Sequence, residues 1–159
     1  MEYLAREDEY RPQEDVAEMM VIFGQQVRTL PDMIMDPKER LLTANLVLEE
    51  ALEFCVAMGF NAVEQEDGSI GLELHGRDPD LVGACDAIGD MLVVDYGAAN
   101  RLGVKAKDLF HEVDRSNKTK FHIDGEGNRY VKRRESDGKV IKPDHYSPAD
   151  IEGVLCRAR

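Results

Sequence analysis

Apolar residues recur along this chain at the 3.6-residue period of an α-helix in four stretches, and the period changes only near the C-terminal end. The first stretch, from Asp15 to about Gly24, carries Val16, Met19, Met20, Val21 and Phe23, and Gly24 can end it. A connector, VRTLPDMIMDP, is broken by Pro31 and Pro37. The spacing then predicts a second helix from Pro37 to about Met58, with Asp36 as N-cap, Pro37 at the first helical position and Gly59 as the stop. The segment NAVEQEDGSIGLELHGRDPD is irregular, and its Asp67-Gly68 pair predicts a small hairpin or a mobile loop. A third helix is expected from about Asp80, capped by Asp78, to Leu102 before Gly103, and a fourth over about Lys105 to Lys120. In RYVKRRESDGKVIKP the pairs Tyr130-Val131 and Val140-Ile141 flank Asp137-Gly138, which predicts a short hairpin. Ser147, Pro148 and Asp150 then mark the start of a closing helix. The fold class these elements predict is all-α, a four-to-five-helix bundle with a short β-hairpin and loop segment at the C-terminal end.

At 159 residues the expectation is a single domain over 1–159, with a helical core of about 12–120 and a basic hairpin and tail over 121–159. A net charge of −12 argues against a nucleic-acid partner. The charged stretch MEYLAREDEYRPQEDVAEMM lacks the apolar segment of a signal peptide, and no apolar run reaches the roughly 20 residues a membrane helix needs. Three isolated cysteines without a CxxC fit a reducing, cytoplasmic setting, with Cys55 and Cys85 read as core residues.

The charge is unevenly spread. From Leu41 to Asn100 Arg77 is the only Lys or Arg, against twelve Asp and Glu; from Arg101 to Arg159 fourteen Lys and Arg face ten acids. Within the second helix, LVLEEALEF holds Glu49, Glu50 and Glu53 in an otherwise apolar run. At the helical period Glu50 lies about 100° and Glu53 about 40° from Glu49, so all three share one sector. Asp86 and Asp90, at i and i+4, repeat the arrangement on the third helix. A Glu-rich stripe on a solvated helix is the plain alternative, but such stripes mix in lysine for i,i+4 pairing, and none follows Arg40 here. Two acidic faces that meet would make a hard oxygen cluster suited to Mg²⁺, with Mn²⁺ as a second option. Zinc is disfavoured, because the cysteines and His75, His111, His122 and His145 show no ligand spacing. Bound Mg²⁺ usually bridges to phosphates. Lys120 can meet a phosphate oxygen as a point charge, and Asn117, three residues earlier, can pair with a base or sugar.

LVLEEALEF, DAIGDMLVVDYGAANRLGV, DLFHEVDRSNKTKF and DGKVIKPDHYSPADIEGVL, in this order, closely resemble the all-α nucleoside triphosphate pyrophosphohydrolases of the MazG-like superfamily. Within it they look most like the compact dUTPase-like and phage-type branch, relatives of phosphoribosyl-ATP pyrophosphatase. The resemblance implies cleavage of a (d)NTP, dUTP being the favoured candidate, to monophosphate and pyrophosphate with Mg²⁺ as cofactor. It makes Glu50 and Glu53 metal ligands, matches Asp90 to the closing Asp of the second motif, and gives Glu49 the part of general base or ligand to a second ion. The usual second motif is Glu-x-x-Asp, and its first position here is Ala87; Asp86, one residue earlier, is the expected substitute. FGQQV resembles a phage-branch feature and marks Gln25 as a reader of the base edge. The basic tail, with Lys142 and Tyr146, is expected near the nucleotide, and the family's habit implies a homo-oligomer, dimer or tetramer. Two alternatives stand beside this one: a phosphoribosyl-ATP pyrophosphatase, and a non-catalytic helical dimer that binds a nucleotide or a partner.

Overall fold

The computed structural model describes residues 10–34 and 36–158. The first nine residues of the N-terminal stretch weighed above for a signal peptide lie outside the described residues. The chain divides into two compact units, one up to Gly103 and one from Val104 onward.

The first unit contains α1 (Pro12–Ile22), α2 (Pro37–Ala57), a hairpin of β1 (Phe60–Glu64) and β2 (Ile70–Leu74), and α3 (Leu81–Leu102). Helix α1 begins three residues before the expected Asp15, because Pro12 takes an early helical position where its missing N–H costs nothing. Helix α2 forms where predicted, with the Asp36 carboxylate accepting from the Lys38 N–H at 3.0 Å. Asp80, not Asp78, caps α3, accepting from the Val82 N–H at 2.9 Å. The Asp67-Gly68 turn closes an antiparallel β1–β2 pair that runs from Phe60 opposite Leu74 to Glu64 opposite Ile70.

Helices α1 and α2 both pack on α3. Ala84, Ala87 and Ala99 supply buried small side chains on α3, and Val16, Met20 and Ile34 complete the buried apolar set of this unit. Ala87, the departure from the family motif, is therefore a core position. The connector between α1 and α2 is tied to the end of α3 by Arg28 N–H to Asn100 O and Asp32 N–H to Leu102 O. Gly103 ends α3 at φ +67°, and a Cβ there would collide with the Leu30 carbonyl, so only glycine fits.

The second unit contains α4 (Ala106–Asn117), a hairpin of β3 (His122–Ile123) and β4 (Arg129–Tyr130), and α5 (Ile151–Arg157), which packs on α4. The hairpin expected around Asp137-Gly138 is reduced to a bridge between Arg133 and Val140, and Tyr130 pairs instead with His122. Helix α5 starts at Ile151, capped by Asp150 through the Gly153 N–H, so Ser147 is not its cap.

Five helices and short antiparallel pairs among the described residues give the all-α class that the sequence pattern predicts. None of those helices is long and apolar enough to cross a membrane. Helix α2 buries no residue completely, and Leu48, Leu81 and Val82 are 56%, 78% and 79% exposed. Cys85, read from the sequence as core, is also exposed, because Ala84 and Ala87 take the buried side of this turn of α3; Cys55 is half-buried.

Candidate functional site

Acids of α2 and α3 lie within electrostatic reach of one another. Burial, first, and then the charges of Glu53, Asp90, Glu49 and Asp86 all push the Glu50 carboxyl above its usual range. These groups come from both helices, so the packing of α2 on α3 has turned the two acidic sectors toward each other. The Oε2 atom of Glu50 is buried and has no hydrogen-bond partner among the described residues. An orphaned buried carboxylate oxygen is costly, and such atoms in native folds call for an explanation such as an ion. Glu49, Glu53 and Asp86 also line an open cavity of about 630 Å³ together with His75, Arg77 and Asp80.

As the side chains stand, no three His, Cys, Asp or Glu groups among the described residues converge closely enough to hold one ion. The donor set itself, oxygen only and anionic, fits a hard divalent cation such as Mg²⁺ or Mn²⁺. His75 adds nothing to it: its Nε2 faces the Val56 carbonyl at 2.9 Å and its Nδ1 accepts from the Arg77 N–H at 3.0 Å, so both ring nitrogens are occupied.

The second unit gathers the other predicted residues. The Lys120 ammonium donates to the Asn117 side-chain oxygen at 2.7 Å. The Lys142 ammonium stands 4.5 Å from the Tyr146 ring centroid. Ser116, buried at the end of α4, donates to the Tyr146 phenol oxygen at 3.4 Å. That hydrogen bond, helped by the charges of Lys142 and Lys120, holds the phenol below its usual range. Asn117, Lys120, Lys142 and Tyr146 thus form one cationic and aromatic cluster.

What fastens the tail there was not visible in the sequence. Thr119 bridges the Ser116 carbonyl at 2.7 Å and the Ser147 N–H at 3.0 Å. Arg115 donates to Ser147 Oγ at 3.0 Å and the Pro148 carbonyl at 2.8 Å, and grips Glu112 through two nitrogens at 2.7 and 2.9 Å. Glu112 also accepts from the Asp150 N–H at 2.7 Å, and Arg115 above all holds its carboxyl down at about 2. The i,i+3 spacing of Glu112 and Arg115 was the available signal, but such a pair alone reads as ordinary surface charge.

Gln25 lies in the first unit, in a small pocket of about 120 Å³ between α1, α2 and α3. Its floor holds a residue the sequence reading passed over, Arg101, which donates to Gln25 Oε1 at 3.0 Å. The pocket belongs to the same α2–α3 groove as the acids. Leu46 in its wall is one helical turn from Glu50, and Val94 is one turn from Asp90.

The model of one protein family, phosphoribosyl-ATP pyrophosphohydrolase, matches residues 16–117, from α1 through the end of α4. The match includes all five acids, Gln25 and Asn117, and stops before Lys120, Lys142 and Tyr146. No curated protein matches the chain.

Proposed function

We propose a function from one premise: the chain belongs to the phosphoribosyl-ATP pyrophosphohydrolase family of MazG-like all-α pyrophosphatases, and so is a pyrophosphohydrolase acting on a phosphoanhydride bond of a nucleotide triphosphate. The finer reading is a Mg²⁺-dependent enzyme of the dUTPase-like, phage-type branch. It cleaves a (d)NTP, dUTP as the favoured substrate, between the α and β phosphates to (d)NMP and pyrophosphate. The observation that carries the metal part of this reading is the partnerless buried oxygen of Glu50 among four further carboxylates.

Glu50, Glu53, Asp86 and Asp90 would hold the cation, and Asp86 takes the place of the missing family Glu because i,i+4 reaches one helix face as i,i+3 does. When bound, Mg²⁺ neutralises phosphate charge and lowers the pKa of an attacking water. Glu49, exposed at the edge of the same face, is the group to take the water's proton. Lys120 and Lys142 supply positive charge suited to a polyphosphate, and Asn117 and Tyr146 supply hydrogen bonds. The exposed apolar side chains of α2 and α3 support a homodimer or tetramer, since that much exposed Leu and Val marks an interface. Light scattering should therefore give a multiple of the 17.9 kDa chain mass.

The direct test incubates the protein with each dNTP and Mg²⁺ and separates the products. Monophosphate with pyrophosphate supports the reading; diphosphate with orthophosphate refutes the bond assigned. A second reading, hydrolysis of phosphoribosyl-ATP itself, is favoured by the description of the matching family. Turnover of that compound with none of any dNTP would install it in place of the first.

A further inference from the structure

We infer that Arg101 is a positioning residue that fixes Gln25 as a hydrogen-bond donor, making the pocket between α1, α2 and α3 a reader of carbonyl oxygens on a nucleobase. The inference deepens the pyrophosphohydrolase reading and rests on it.

Arg101 is only 5% exposed. No carboxylate among the described residues stands within ion-pair distance of it. The nearby Glu39 is engaged by Arg28 at 3.0 and 3.1 Å, and Arg28 also donates to the Arg101 backbone carbonyl. A buried cation without a charged partner must be held by neutral acceptors. Here they are Gln25 Oε1 at 3.0 Å and Thr43 Oγ1 at 3.3 Å.

That arrangement sets the polarity of the pocket. A guanidinium has donors only, so the amide of Gln25 must turn its oxygen toward Arg101. Its NH₂ group then points away and has no partner among the described residues. The Thr43 hydroxyl proton is already committed to the Glu39 carbonyl at 2.8 Å. What faces an incoming ring is therefore a donor that cannot rotate into an acceptor without stranding Arg101.

The rest of the pocket is apolar, with Val16, Met20, Phe23, Leu46 and Val93 among its walls. Its volume of about 120 Å³ is that of about four waters, at roughly 30 Å³ each, enough for a flat ring. A ring seated there lies one helical turn from the acids of the same groove. Where it carries a carbonyl, the Gln25 donor is satisfied. An exocyclic amine at the same position would set N–H against N–H and leave both unpaired, which is how buried polar groups discriminate strongly.

The test compares kcat/KM for two matched pairs, dUTP against dCTP and dITP against dATP, each of which exchanges a carbonyl for an amine at one ring position. The carbonyl member should be preferred by about tenfold or more. Gln25→Glu keeps the shape but presents acceptors, so it should reverse the preference. Arg101→Met frees the amide to rotate, so the ratio should fall toward one. Gln25 is half-buried and its variant tolerates the fold; a melting temperature near wild type confirms that, and this variant suffices if Arg101→Met does not fold. Equal rates within both pairs, or an unchanged ratio in Gln25→Glu, would overturn the inference while leaving the hydrolase reading intact. Absence of turnover for every nucleoside triphosphate would overturn that reading itself.

Discussion

Glu50 on α2 and Glu112 on α4 are the same side chain in opposite electrostatic settings. Glu112 has a bidentate arginine and a backbone N–H from the start of α5, and its carboxyl is drawn down to about 2. Glu50 has a buried oxygen without a partner and four acids around it, and its carboxyl is pushed up. A carboxylate whose needs are met within the chain works for the fold. One whose needs are unmet costs the fold something, and the deficit points to a component from outside. The contrast extends to neighbouring groups: the acids around Glu50 repel one another, whereas Glu112, Asp114 and Asp137 of the second unit each pair with a base.

The comparison can be broken most sharply at Glu50. Glu50→Gln should reduce turnover on the order of 10²-fold or more, because charge stabilisation in phosphoryl transfer is lost. It should keep or raise the melting temperature, because a crowded negative charge is gone. Wild-type turnover at limiting Mg²⁺ would return this residue to a solvated stripe.

Next in size is the response to metal. A saturating Mg²⁺ titration should raise the melting temperature of the wild type by several degrees, since a ligand at about 100 times its Kd adds about 2.7 kcal/mol. Glu50→Gln should show a clearly smaller rise. Equal shifts in the two proteins would show the ion to be held elsewhere.

Glu112→Gln should act the other way, lowering the melting temperature by a few degrees through loss of the tie between α4 and the start of α5. Its pH dependence has a definite sign. The carboxyl sits lower in the folded chain than its ordinary value of 4.5, so its stabilisation is present above about 4.5 and lost as pH falls toward about 2. The difference between wild type and variant, followed by thermal melts from pH 6 to pH 2, should shrink over that range. A constant gap would mean that charge is not what Glu112 contributes.

The smallest effect concerns Tyr146. Ultraviolet titration should find its phenol ionising below the usual value near 10, and Lys142→Ala should move it back up only part of the way, because the Ser116 hydrogen bond contributes more. Full reversion would reverse the order of those two causes.

Much of the candidate site was readable beforehand because it is local. Asp36, Pro37 and Gly59 bound α2 by rules that act within one turn, and the helical period alone places Glu49, Glu50 and Glu53 in one sector. Elements with weaker local signals came out differently. Two aspartates flank Pro79, and which one caps α3 depends on where the chain leaves β2. The turn at Gly127 competes with that at Gly138, and the former takes Tyr130 into β4.

The sequence by itself determined the main helices, the Asp36 cap of α2, the two acidic sectors and the i,i+3 partnership of Asn117 with Lys120, since each depends on residues within a turn or two of one another. Only the tertiary structure decided that the sectors face each other, that Glu50 is the acid left unsatisfied, and that Arg101 meets Gln25. The physical reason is separation along the chain. Gln25 and Arg101 lie 76 residues apart, and the polarity of an amide held by a buried cation exists only once helix packing has removed the water that would otherwise serve both.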